Sequence, residues 1–245
     1  MRTSLDTRIK FSDTDSNTEV KFGNMIDIMQ DCMNLQSETA GVGVDYQLKT
    51  KRAWILSSWQ LEFCGELKYG EKVEASTWPY MFKGACGKRN AIITRADGDK
   101  EPLVLANSIW ALFDVERGVL CRFTDEDIKS CECEPPLAMD YKKGKIARQD
   151  FEYTRYPEFI VRKYQLDFNH HMNNSWYVKL AEEFLDSHRG IQSMRVEYKK
   201  QAVLGDVMIP YVGQDETGRI VVELRTDTQE LFAVVEFCRH TGDNK

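Results

Sequence analysis

The strongest restriction on the fold is an internal duplication. A helical stretch at residues 24–41 opens on Asn24 and closes on Gly41, and a second at 173–190 opens on Asn173 and closes on Gly190. Strand-like runs follow the first at 54–64, 72–82, 88–95 and 103–115, and the second at 193–203, 207–212, 219–225 and 230–239. Tyr69-Gly70, Lys83-Gly84 and Asp97-Gly98 punctuate the first set as turns. Leu61-Glu62-Phe63 ahead of Gly70-Glu71-Lys72-Val73 also matches Val196-Glu197-Tyr198 ahead of Gly205-Asp206-Val207. A unit of one long helix and an antiparallel meander is an α+β arrangement. Its sheet leaves an open edge, which a second copy can pair.

The expected division is 1–128 for the first unit, 129–150 for a connector and 151–245 for the second unit. The connector is polar, carries Pro135-Pro136 and the basic run Lys142-Lys143-Gly144-Lys145, and reads as a crossing over the surface. A short strand with a polar turn is expected at 8–15, and another strand at 159–163. In the first helix Met25, Ile28, Met29, Cys32, Leu35, Gln36 and Thr39 form a mostly apolar face for the sheet. In the second, Tyr177, Leu180, Ala181, Phe184, Leu185 and His188 recur at helical spacing, with the helix continuing to Arg189.

Between the strand at 159–163 and the second helix, Asp167, Asn169 and His171 stand at alternate positions. In an extended segment they share one side, which sets a carboxylate, an amide and an imidazole in one row. His170 is off this period and should point away. Asn173 and Asn174 can cap the helix that follows, whose free N–H groups and dipole favour developing negative charge. An acid/base pair beside an anion-stabilising helix end supplies what acyl hydrolysis requires. The first copy has Phe11 to Asn17 (FSDTDSN) in the matching place and no histidine, so Asp13 and Asp15 read as solvated turn residues.

A formal net charge of −6 argues against a general nucleic-acid binder. No apolar run approaches the ~20 residues of a membrane span. Polar sequence follows Met1 without a signal-type apolar core, so a cytoplasmic location is expected. The seven cysteines are irregularly spaced and read as reduced, mostly buried thiols. Cys131-Glu132-Cys133 lacks a second Cys or His pair nearby, so neither a metal nor another cofactor is expected. Nucleophile-elbow, phosphate-loop and dinucleotide signatures are absent.

The pattern D-x-N-x-H-x-N-N-x-x-Y, formed by Asp167, Asn169, His171, Asn173, Asn174 and Tyr177, resembles the signature of plant and bacterial acyl-acyl-carrier-protein thioesterases. Trp54, Gly70-Glu71-Lys72-Val73, Thr77-Trp78 and the run 107–114 with Trp110 resemble that family's N-terminal domain, so the likeness covers nearly the whole chain. The resemblance implies a tandem (double) hotdog, each repeat a long helix wrapped by an antiparallel sheet. It implies an acyl-chain pocket in the first domain and catalysis in the second. Glu183 falls where the family has a glutamate further along its catalytic helix.

One position departs from the family. A later strand there supplies a glutamate and, in many plant members, an adjacent cysteine; here Gln201 and Ala202 take those places. Alanine offers no nucleophile, which leaves direct hydrolysis by water. The expected catalytic set is Asp167, Asn169, His171 and Gln201: His171 contacts the thioester or the water, Asp167 orients and polarises, and the two amides position. Asn173 and Asn174 mark the oxyanion-stabilising helix end. The implied partner is an acidic acyl carrier protein, with Lys142, Lys143, Lys145, Arg148, Arg195, Lys199 and Lys200 as docking charges. A homodimer is left open. An idle acyl-binding protein and an acyl-coenzyme A thioesterase are the alternatives, Gln201 favouring the former and the intact Asp-Asn-His row opposing it. A hotdog dehydratase lacks the tyrosine and histidine it would need before Gly205-Asp206.

Overall fold

The computed structural model describes residues 2–98, 100–128, 131–148 and 151–239. Lys129, Ser130, Gln149 and Asp150 of the expected connector, and the chain from His240 onward, lie outside the described residues. In chain order the elements of the first half are β1 (Thr3–Arg8), α1 (Phe22–Thr39), α2 (Val44–Thr50), β2 (Arg52–Phe63), β3 (Lys72–Lys83), β4 (Cys86–Arg95), β5 (Pro102–Asp114), β6 (Val119–Leu120) and α3 (Asp125–Ile128). The second half adds β7 (Thr154–Arg155), β8 (Phe159–Ile160), α4 (Asn174–Ala181), β9 (Ile191–Tyr198), β10 (Val207–Gln214), β11 (Ile220–Arg225) and β12 (Leu231–Arg239).

All the strands belong to one antiparallel sheet, ordered β1-β3-β4-β5-β2-β9-β12-β11-β10-β7, with β6 beside β5 and β8 beside β10. The halves join where β2 pairs β9. That register is symmetric about the Gln60/Arg195 pair, since Trp59 faces Val196 and Leu61 faces Met194. Each half therefore covers the other's open edge, as the duplication requires. The expected turns are present, with Gly70, Gly84 and Gly98 all at positive φ, where a side chain would strain the backbone.

Both helices pack on the same face of the sheet. In α1 the buried stripe is Phe22, Met25, Ile26, Met29, Cys32, Met33 and Gln36. The helical period is the expected one, but its phase is turned, because Leu35 is 43% exposed and Ile26 and Met33 take the core places. Fully burying such side chains contributes about 1.5–3 kcal/mol each. Asn24 is not the cap. It lies within the first turn, where its amide donates to Asp13 Oδ1 (3.0 Å). Gly23 sits where α1 and α4 meet: a Cβ there would stand 2.3 Å from Lys179 Cγ. Lys179 Nζ then reaches Asp27 (2.6 Å), tying the helices together.

Other expected bounds also shift. The first strand is Thr3–Arg8, and the residues after it form a 3₁₀ turn, Phe11–Asp13. The strand expected at 159–163 shrinks to Phe159–Ile160, followed by a matching turn, Lys163–Gln165. The second helix ends at Ala181 and runs on as a 3₁₀ turn, Glu182–Phe184, so the two helices are not of equal length. The connector does cross the sheet's outer face, but as a packed strap. Gln60 is held on both sides by Asp140 and Lys142, and Ile146 is buried against Val221 and Val234. Among the cysteines Cys32 alone is fully buried, while Cys64 and Cys133 are exposed and none is disulfide-bonded.

Candidate active site

The stretch 167–171 is a tight turn, not the extended row that alternation predicts. Asp167 N–H donates to His171 O (2.8 Å), and His170 N–H to Asp167 O (3.1 Å), with His170 at φ 62°. Asp167 Oδ1 accepts from the N–H of Asn169 (2.8 Å) and, more weakly, of His171 (3.4 Å). Asp and Asn at turn positions hold the backbone this way, and the short side chains make the motif self-supporting. His170 carries the left-handed residue of the turn, which gives it a structural place of its own.

The turn is clamped from below. Leu166 bridges Met172 and His171 bridges Val203. Met172 N–H donates to Ala202 O (2.8 Å), while Ala202 N–H donates to Tyr177 Oη (3.0 Å). Burial pushes the Tyr177 hydroxyl up to about 12, so it is a neutral hydrogen-bonding group. This ladder sets Gln201 beside the turn.

Asp167, Asn169, His171 and Gln201 line one cavity of about 130 Å³, with Trp54 and Trp110 across from them. A second cavity, of about 200 Å³, runs along α1, and Asp167, Asn169 and Asn174 line both. Asp167 is partly buried, and Oδ2 has no hydrogen-bond partner among the described residues. The His171 ring likewise has none, so both are open to a ligand.

Asn173 caps α4, its Oδ1 accepting from Ser175 N–H (3.0 Å). Trp176 N–H goes to Asn173 O (3.0 Å). The N–H left without a partner at this helix end, among the described residues, is that of Asn174. The Asn174 amide reaches across to Gln30 Oε1 of α1 (3.0 Å), so the site is built from both halves. Gln30, Trp54 and Trp110 are the residues that motif spacing does not reveal, since they come from distant elements.

The remaining expectations resolve differently. Ala202 is fully buried in the core and does not line the cavity, and no cysteine lines the cavity that holds His171. Glu183 is exposed; the buried carboxylate is its neighbour, Glu182. Asp13 and Asp15 are not solvated. Asp13 is buried, and Asp15 forms the same turn as Asp167, accepting from the N–H of Asn17 (2.8 Å) and Glu19 (2.9 Å). Glu19 stands in the place of His171. The turn is sealed by His188, with Nδ1 on Asp15 (3.2 Å) and Nε2 on Glu182 (3.2 Å). The donor atoms of Asp15, Glu19 and His188 lie within 4.8 Å of one another, a spacing that suits a cation. Glu19 is already engaged there by Arg189 (2.7 Å) and Ser187 (3.1 Å).

The model of the acyl-ACP (acyl carrier protein) thioesterase N-terminal domain matches residues 3–131, and that of the C-terminal domain matches 148–231. The chain belongs to the acyl-ACP thioesterase family. It is a double hotdog of class α+β, and its reaction is hydrolysis of the thioester of fatty acyl-ACP. An acyl-ACP thioesterase from Bacteroides thetaiotaomicron superposes with a TM-score of 0.86 at 15% identity, covering 98% of each chain. A 12:0-ACP thioesterase from Umbellularia californica gives 0.84 at 15% identity, covering 98% of this chain and 97% of that one. No curated protein sequence matches.

The basic residues of this thioesterase do not form one docking patch. Lys142 and Lys143, on the strap itself, lie with Arg195 on the outer face. Lys142 pairs with Asp140 (2.5 Å) and Arg148 with Glu223 (3.1 Å). Lys199 and Lys200 line the cavity that holds His171 instead, where each also holds a carboxylate. No helix among the described residues is long and apolar enough to cross a membrane.

Proposed function

We propose that the thioester carbonyl sits where the two cavities meet, and that Asp167, Asn169, His171 and Gln201 hydrolyse it directly with water. The observation that carries this reading is the shared cavity of those four residues, which continues through Asp167 and Asn169 into the cavity along α1. Residues 151–245 then supply the chemistry and residues 1–128 most of the acyl wall.

In this scheme Gln201 and Asn169 hold the water, each having both donor and acceptor atoms. His171 accepts a proton as the water oxygen attacks the carbonyl carbon. The Asn174 N–H, at the positive end of α4, stabilises the oxyanion. The C–S bond then breaks, and the sulfur leaves as a thiol with the proton returned by His171. Asp167 holds the turn through Oδ1 and keeps its negative charge beside the developing imidazolium. The carrier approaches from the Lys199–Gln201 side, where the cavity walls are exposed.

The test is incubation with acyl-carrier-protein and coenzyme A thioesters of several chain lengths, with released fatty acid measured. Free acid from the carrier-bound substrates, in preference to the coenzyme A forms, is the expected outcome. A folded protein that binds these thioesters without releasing acid would overturn the catalytic reading.

A further inference from the structure

The cavity along α1 is not a hydrocarbon pocket. Trp54, Phe82 and Trp110 line it, but so do Gln30, Asn34 and Arg89. Arg89 stands in the middle of β4, opposite Pro79 of β3 and Ser108 of β5. It reaches towards α1 and donates an Nη2–H to Gln36 Oε1. Its Nε is shut off from solvent and has no hydrogen-bond partner among the described residues.

No carboxylate neutralises this guanidinium among the described residues. Burial pushes it down to about 10, with the thiols of Cys131 and Cys32 in partial opposition, so it is still charged at neutral pH. Asp31 lines the same cavity without pairing with it, and burial and Asp27 hold the Asp31 carboxyl above the usual range. A partly buried charge without a counter-charge is costly unless something in the cavity satisfies it. A saturated chain laid over Arg89 would strip its remaining water and return nothing. A chain with an oxygen at that point would complete it.

We propose that the acyl chains this enzyme selects carry an oxygen acceptor, a hydroxyl, oxo or carboxylate group, that Arg89 binds inside the cavity. This rests on the proposed course of the acyl chain along α1. Arg89 is then a specificity residue, and the amides of Gln30 and Asn34 belong to the same polar lining.

The test measures kcat/KM for thioesters of matched length on one acyl carrier protein. The panel is an unsubstituted chain, chains with a hydroxyl or oxo group at the third carbon, and chains with a hydroxyl or carboxylate at the far end. Parent, Arg89→Lys and Arg89→Met are compared. At least one oxygenated chain should be preferred by roughly tenfold or more, because a site built for a polar group rejects an analogue that lacks it. Arg89→Met should bring that ratio close to one, and Arg89→Lys should keep part of it. Preference for the carboxylate alone names ion pairing, and preference for hydroxyl or oxo chains names hydrogen bonding; either sustains the proposal. A parent that hydrolyses the unsubstituted chain as well as every oxygenated one overturns it, however the variants behave. If the parent hydrolyses none of them, the catalytic assignment has failed separately. Calorimetric binding of the matching free acids then decides: tighter binding of oxygenated acids, lost in Arg89→Met, sustains the proposal, and equal binding ends it.

Discussion

Two substitutions separate chemistry from scaffolding at the turn. His171→Ala removes the proposed base while leaving the backbone hydrogen bonds of 167–171 in place, so turnover should fall by ~10²–10⁴-fold with the fold intact. Asp167→Asn is more discriminating. An amide oxygen can still accept the N–H of Asn169, so the turn survives, but the charge beside His171 is gone. We expect a loss of at least tenfold in kcat; an unchanged rate would mean that Asp167 only holds the turn. Gln201→Glu should change the pH profile more than the maximal rate, because glutamate can take a proton that glutamine cannot. A parent without activity that this change switches on would reverse the assignment. Asp167, Asn169 and His171 stood out because their motif is local in sequence, whereas Gln201 lies on a later segment and was singled out only by the family resemblance. The geometry of the motif was not legible, since alternation reads the same in a strand and in a turn. Asp167 decides between them by bonding two backbone N–H groups, which spacing does not encode.

At the scale of elements, the strands and turns followed from hydrophobic runs and glycine signals, but a simple meander does not describe their order: β2 pairs β5 and β9 instead of β3, and β9 pairs β12 instead of β10. The second helix also stops eight residues short of the expected Arg189. Local propensity does not require that break. Glu182 is drawn out to accept the N–H of Phe22 (2.7 Å), capping α1 from the other half, and His188 folds back onto Glu182 and Asp15. These contacts join residues far apart in sequence, so no local pattern announces them. Glu182→Ala removes the cap and strands the imidazole, and should cost about 2 kcal/mol or more in denaturant unfolding. His188 adds a pH signature. Burial alone would lower its pKa, but Glu182 and Asp15 outweigh this and hold it above the usual imidazole value. Its contribution is therefore full below the unfolded value of ~6.5 and fades as pH rises through the raised folded value. His188→Gln should cost about 1.5–3 kcal/mol at pH 6 and much less at pH 9. A stability gap that is the same at both pH values would show that the imidazole's charge plays no part.

Across the whole molecule, a near-symmetric scaffold carries an asymmetric function. The register about Gln60 and Arg195 relates the halves, and both halves keep the Asp-x-Asn turn, at Asp15 and at Asp167. Among the described residues, the second turn opens on a cavity that continues along the other half's long helix, while the first lines a separate cavity with His188. In the first turn His188 occupies the Asp15 carboxylate, because α4 is short enough for the following chain to fold over it. In the proposed reading substrate enters beside the second turn, and the charges around that mouth should steer the carrier. Lys199 and Lys200 are exposed there, whereas Lys142 and Lys143 sit on the opposite face, on the strap. With a chain of net charge −6, local positive charge is needed to bring an acidic carrier to this one place. Lys199→Glu with Lys200→Glu should raise KM for acyl-carrier-protein substrates several-fold, with little effect on a pantetheine thioester that lacks the protein. The difference should shrink above ~0.1 M salt, where the Debye length falls below ~10 Å. Lys142→Glu with Lys143→Glu is the control, expected to leave both substrates unaffected. If that pair raises KM for the carrier and the Lys199/Lys200 pair does not, the carrier docks on the outer face, and its acyl chain must reach the cavity by another route.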